Sequence, residues 1–196
     1  TFSLLDRAWR RTQHKHQRSV AERQTLFALS VILLCVFSIT IDIGTARAAC
    51  PLNIADGDVT GLVNAINCAN GSPADDVISL ATSGTYTLTV VNNTNPGIGD
   101  NGLPVIAPVG TAGTLTIHGN NATITRSGAS PSPFRILEVG PGGSLLLDHI
   151  TISGGNMFGG SFPGAGIFNY SGVLVLMDST VSGNSTAGQG GGIANG

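Results

Sequence analysis

Two stretches of this 196-residue chain repeat one another at an offset of 29, and that self-similarity limits the fold more than any other feature. Setting GSLLLDHITISGG (residues 143–155) over GVLVLMDSTVSGN (residues 172–184) matches Leu145 with Leu174 and Leu147 with Leu176. It also matches Thr151 with Thr180, Ile152 with Val181, and Ser153-Gly154 with Ser182-Gly183. A fainter copy, GTLTIHGNNATI (residues 113–124), brings Leu115 and Ile117 onto the same positions, and GAGIFN (residues 164–169) returns as GGGIAN (residues 190–195). A repeat of this length made of strands and turns without helices marks a solenoid.

The physics narrows the choice. A strand of three residues cannot bury its face alone, whereas stacked copies bury a continuous column. Successive turns then pair in parallel, with Leu, Ile and Val stacked inside and Gly and Asn at tight corners where φ is positive. The expectation is an all-β parallel β-helix. The alternative, a sandwich or barrel of antiparallel hairpins, uses similar turns but does not require a fixed period.

After Pro73 the chain reads as short alternating runs separated by Gly, Asn, Ser and Pro. They include Val77-Ile78-Ser79-Leu80, Tyr86-Thr87-Leu88-Thr89-Val90, Leu115-Thr116-Ile117, Ala122-Thr123-Ile124, Leu145-Leu146-Leu147 and Ile150-Thr151-Ile152. Before it lies one helical pattern, VTGLVNAINCAN (residues 59–70). Val59, Leu62, Val63, Ile66 and Ala69 recur there at three- and four-residue spacing, with Asp58 as N-cap and Asn70-Gly71 as stop. A helix with one apolar face suits a cap on the first coil, so residues 49–75 are expected to form an N-terminal cap and residues 76–196 the coils. The sequence stops at GGGIANG (residues 190–196), where the next strand would begin. An unpaired edge is an aggregation hazard, so the native protein is expected to continue.

Charge is distributed unevenly. Seven of the nine Lys and Arg precede residue 49; beyond it Arg126 and Arg135 stand against eight carboxylates, a formal charge of −6. So cation-poor a surface offers little to phosphate, and nucleic acid is not an expected partner. Residues 1–48 read as an export signal: a basic stretch ending at Arg23, an apolar run LFALSVILLCVFSITI (residues 26–41), and Ala46-Arg47-Ala48 before a cleavage point after Ala48. The alternative is an uncleaved anchor, for which the run is slightly short of the roughly 20 residues of a membrane span. Contact with a membrane is expected only through this segment, and the location is expected to be extracellular or at the cell surface. Cys35 leaves with the signal, so Cys50 and Cys68 remain. In an exported chain two cysteines most often pair, the alternatives being free thiols or a metal site, for which no His is nearby.

Candidate chemistry is sparse. Asp148-His149 sits at the corner between two inward runs, with His118 and Asp178 near comparable corners, so Asp148 and Asp178 could share one flank of adjacent coils. Arg126, Arg135 and Glu138 form a second candidate polar group. Carbohydrate cleavage requires paired carboxylates, or a metal with a basic residue; the plainer reading is that these side chains cover the outer wall and pair locally. No catalytic residue, cofactor or resident metal is assigned. Calcium is the alternative that acidic and Asn-rich corners allow, but the GGxGxD calcium repeat is absent. Asn120, Asn121, Asn169, Asn184 and Asn195 read as turn residues. The glycine runs open no helix, so no phosphate-cradling loop is present. The long loop GGNMFGGSFP (residues 154–163) carries Met157, Phe158 and Phe162. Loops on one face of a solenoid are its usual binding surface, so the two phenylalanines are candidates for stacking on a sugar ring or a partner protein, against the alternative that they fold back over the coil.

A leading cysteine, a helix ending in Ala-Asn, then ADDVISL (residues 74–80) and GTYTLT (residues 84–89) resemble the N-terminal segment of bacterial surface proteins with a CSLREA-type domain. LTIHGNNATITRS, ILEVGPGGSLLLDHITISGG and STVSGNSTAGQGGGIANG resemble the right-handed parallel β-helix repeats that follow it, similar to polymorphic outer-membrane protein repeats. The resemblance spans roughly residues 50–196 and departs at LVNAINCAN (residues 62–70), which replaces a charged Leu-Arg-Glu-Ala core. It implies a right-handed coil, secretion or surface display, and no catalytic residues. The functional expectation is therefore a non-catalytic adhesive or structural β-helix that contacts glycans or surface proteins. The alternative is a pectate-lyase-like carbohydrate-active enzyme with its groove in coils beyond this sequence.

Overall fold

Short aliphatic runs become stable strands here by stacking in parallel on their own repeats. The computed structural model describes Cys50 and residues 52–107, 113–158 and 160–196. All lie in the compact unit Ala49–Gly196; the segment read as an export signal, with Cys35, lies outside the described residues. In chain order the elements are β1 (Asn53–Ile54), α1 (Val59–Asn70), β2 (Asp76–Leu80), β3 (Thr85–Leu88), β4 (Asn93–Asn95), β5 (Gly99–Asn101), β6 (Leu115–Arg126), β7 (Leu137–Val139) and β8 (Ser144–Ser153). There follow β9 (Asn156–Met157), β10 (Ile167–Asn169), β11 (Val173–Met177), β12 (Thr180–Ser182), β13 (Ser185–Thr186) and β14 (Ile193–Asn195).

The molecule is a parallel β-helix. Its first wall runs β1-β2-β6-β8-β11, its second is formed by β3 and β12 on the far halves of β6 and β8, and its third runs β7-β10-β14. The pairing follows the sequence repeat: Leu145 lies beside Leu174, Leu147 beside Leu176, Thr151 beside Thr180 and Ile152 beside Val181. Leu115 and Ile117 continue the first columns through Leu145 and Leu147, and Ile167 lies between Leu137 and Ile193 on the third wall. Ile78, Ile117, Leu145, Leu147, Ile124, Ile152 and Ile167 are buried in one core. Each such side chain contributes about 1.5–3 kcal/mol. Outward from the second wall, Thr85-Thr123-Thr151-Thr180 and Thr87-Thr125-Ser153-Ser182 stand in two columns of hydroxyl residues, the cross-strand pairing that favours Thr on a pleated surface.

Helix α1 spans the predicted residues. The Asp58 carboxylate accepts the Gly61 N–H at 2.8 Å, and Gly71 ends the helix by donating to the last carbonyls. Leu62, Ala65, Ile66 and Ala69 are buried in the coil's core, while Val59 and Val63 are only partly covered. The helix end is fastened by Asn70, whose amide donates to the Val105 carbonyl at 2.7 Å and accepts from the Ala107 N–H at 3.2 Å. Cys50 and Cys68 form a disulfide with Cα atoms 5.5 Å apart. The coil begins earlier than the division at residues 75 and 76 implies, because β1 precedes the helix and already pairs in parallel with β2. Tyr86 closes this end: its buried hydroxyl donates to the Ile54 carbonyl at 2.8 Å and accepts the Ala81 N–H at 3.0 Å.

A second interruption of the coil, besides α1, follows β3 among the described residues. β4 and β5 form an antiparallel hairpin, Asn93 pairing with Asn101 and Asn95 with Gly99, which projects beside the third wall.

Candidate functional site

Among the described residues two places collect polar side chains, one at a corner of the coil and one under the hairpin. The corner separates the first wall from the second. On β6 the turn needs three residues between paired positions, and on β8 only His149. Asn120, Asn121, His149 and Asp178 take it with φ of 51°, 64°, 50° and 46°. These are the non-glycine residue types that best tolerate a left-handed backbone. The register sets His118 beside Asp148, and the Asp148 carboxylate is held from both sides, by His118 Nδ1 at 2.8 Å and His149 Nδ1 at 2.5 Å. His149 Nε2 then faces Asp178 Oδ2 at 3.8 Å. Asp148 and Asp178 do share one flank, but the strand neighbour of Asp148 is Met177, and Asp178 answers His149 instead. The His118 and His149 hydrogen bonds hold the Asp148 carboxyl below its usual range, and Asp148 in turn raises His149.

The second place corrects the expectation for Arg126, Arg135 and Glu138. Arg135 and Glu138 do not cover the outer wall; both are fully buried and paired, Arg135 Nη1 donating to Glu138 Oε2 at 3.1 Å. Glu138 also accepts from Asn95 at 2.7 Å and Asn101 at 2.9 Å, both on the hairpin. Arg135 donates further to Asn101 Oδ1 and to the carbonyls of Ile98, Pro163 and Gly164, and lies 5.1 Å above the Phe168 ring. Burial lowers the Arg135 pKa and Glu138 opposes that shift. Charges enter the interior because the hairpin and the loop before Gly164 leave carbonyls and amides there that only a forked donor and a carboxylate can satisfy. Arg126 stays apart: it donates to the carbonyls of Ser130 and Ser132 and stacks 5.1 Å over Phe134.

This buried pair fixes the hairpin against the loop that follows β9, and between them lies a cleft of about 180 Å³ lined by Pro96, Gly99, Asp100, Pro133, Met157 and Phe162, among others. The structure separates the three loop candidates. Met157 is buried as the floor. Phe162, half-buried, packs on Gly99, where an added Cβ would come within 2.5 Å of the Met157 methyl and 3.2 Å of the Phe162 ring. Phe158 does not line the cleft and is 60% exposed. On the facing wall Thr94 donates to Asp100 Oδ1 at 2.7 Å. Sequence reasoning missed the hairpin side altogether. The available signal was the run NNTNPGIGDNG (residues 92–102), too long and polar for a coil turn.

Compared with known proteins, the chain matches no family model, no curated protein and no solved structure.

Proposed function

We propose that this is an exported, non-catalytic β-helix displayed at a cell surface, with the coiled wall as stalk and the cleft beside the hairpin as its adhesive contact for a carbohydrate. The observation that carries the reading is the make-up of that cleft. An apolar floor and the Phe162 ring face a hairpin wall bearing Thr94, Asn95 and Asp100. A sugar offers the matching pair of surfaces, an apolar ring face and a hydroxyl edge. Phe158 extends the aromatic surface outside the cleft. The carboxylates nearby are committed to hydrogen bonds, Asp100 to Thr94 and Glu138 to three donors, which suits holding a ligand better than moving a proton. The signal-like residues 1–48 support export, with which the Cys50–Cys68 bridge is compatible. The N-terminal motifs, in their resemblance to CSLREA-type surface proteins, support display.

Glycan-array and cell-binding measurements on the wild type and on Phe158→Ser/Phe162→Ser test the contact. Loss of at least tenfold in binding, with an unchanged far-UV spectrum, is expected. Unchanged binding in the folded double variant ends the adhesive reading, and release of unsaturated sugars from pectin would put a lyase in its place. For export, the mature chain is expected to begin at Ala49 by N-terminal sequencing.

A further inference from the structure

The corner of the coil lies apart from that cleft and carries side chains from three consecutive coils. We propose that it is a binding site for a divalent first-row transition-metal ion, with His149 Nε2 and Asp178 as ligands and Asp148 as the carboxylate that orients the imidazole. His149 Nδ1 lies 2.5 Å from Asp148 Oδ1, within hydrogen-bond distance. A carboxylate at Nδ1 keeps the proton on that nitrogen and leaves the Nε2 lone pair free, the arrangement found behind metal-bound imidazoles. That lone pair faces the Asp178 carboxylate, itself an acceptor, at 3.8 Å. While the imidazole is neutral these two acceptors repel one another, and a cation placed between them relieves that repulsion. The gap is too long for a hydrogen bond, but an ion making bonds of about 2.0–2.2 Å to nitrogen and oxygen bridges it at a bent angle. Ligand atoms of Asp148, His149 and Asp178 all lie within 4.8 Å of one another.

The site is also held in place. His118 grips the second oxygen of Asp148 at 2.8 Å and so fixes the carboxylate's plane. His149 and Asp178 sit at equivalent corners of adjacent coils, His149 within β8 and Asp178 directly after β11, so both rest on rigid elements rather than on a long loop. An imidazole with carboxylates suits zinc, cobalt, nickel or copper. Calcium takes six to eight oxygens and is disfavoured by the nitrogen. The remaining coordination positions open to solvent, His149 being 52% and Asp178 73% exposed, and water fills them.

Calorimetric titration of the full chain with zinc chloride, and separately with calcium chloride, tests this. His14→Ala and His16→Ala form the background, so that His118 and His149 are the only imidazoles left. Because Asn120 and Asn121 already adopt the left-handed conformation at this corner, His149→Asn and Asp178→Asn keep the backbone acceptable where alanine would strain it. One zinc ion per chain and no calcium heat are expected. His149→Asn and Asp178→Asn each weaken zinc binding at least tenfold. Asp148→Asn, acting only through the imidazole, weakens it by about 10–100-fold, with the His149 ring proton signals no longer shifting at low zinc. No zinc binding at 1:1 with millimolar metal, or equal binding by the folded His149→Asn variant, overturns the proposal.

Discussion

At the scale of single residues, the charged groups at the corner and under the hairpin have partners, and the partners set how they respond to pH and to mutation. The His149 pKa is raised above the ordinary 6.5, chiefly by its hydrogen bond to Asp148, and Asp148 is lowered from 3.8, chiefly by His118 and then His149. A raised histidine contributes stability that is complete below its unfolded value and fades as pH climbs through its folded one. A lowered aspartate contributes stability that fades as pH falls through its folded value. The pair therefore supports the fold between those limits. In an NMR titration the His149 midpoint is expected above 6.5 and should drop in Asp148→Asn, whereas a midpoint unmoved by that change contradicts the coupling. Glu138 is a different case, because it is fully buried against Arg135. Glu138→Ala strands a guanidinium in the interior and is expected to cost about 3–5 kcal/mol by urea unfolding. That these two charges lie inside was not readable from the sequence. Arg and Glu at a spacing of three read as surface residues, and the acceptors that draw them in come from the hairpin and from residues 163–164, far away in the chain.

At the scale of elements, burial grades the cost of the same substitution along one column. Leu145 is wholly buried, with β6 on one side and β11 on the other; Leu174, its partner on β11, is half-buried. Leu145→Ala is expected to cost about 2–5 kcal/mol, and Leu174→Ala less than half as much in the same denaturant series. Equal costs would mean that the columns do not stack as described. The cap helix is tied by a bridge across an 18-residue separation. Replacing Cys50 and Cys68 together by serine is expected to lower stability by about 3 kcal/mol. Element identity followed sequence where a rule of periodicity applied. The α1 boundaries came from apolar spacing and from Asp58, and the register of β8 with β11 and β12 came from the 29-residue repeat. It failed where no period exists. The β4–β5 hairpin has neither alternation nor repeat, and β7, three residues with Glu138 at its centre, is too short and too polar to read as a strand.

At the scale of the whole molecule, the coil was readable because a solenoid writes its contacts into its sequence. Residues one period apart touch, so self-similarity and contact are the same observation. Features that do not recur from coil to coil leave no second copy to compare, and the candidate sites are of that kind. The cleft depends on one inserted hairpin and one long loop, and the corner on residues that change from coil to coil: Asn120 and Asn121, then His149, then Asp178.

The inter-coil ladders have a mechanical consequence. Their hydrogen bonds run along the stacking axis, such as Val173 N–H to the Gly143 carbonyl at 2.8 Å and Tyr170 N–H to the Val139 carbonyl at 2.7 Å. A pull on the two ends along that axis therefore loads one junction after another, as in opening a zip, instead of shearing all of them at once. Each released turn of the 29-residue repeat unravels to about 100 Å of extended chain, so force–extension traces should show steps near that length, not a single rupture. A coil built this way yields gradually and absorbs a tug while its remaining turns stay wound.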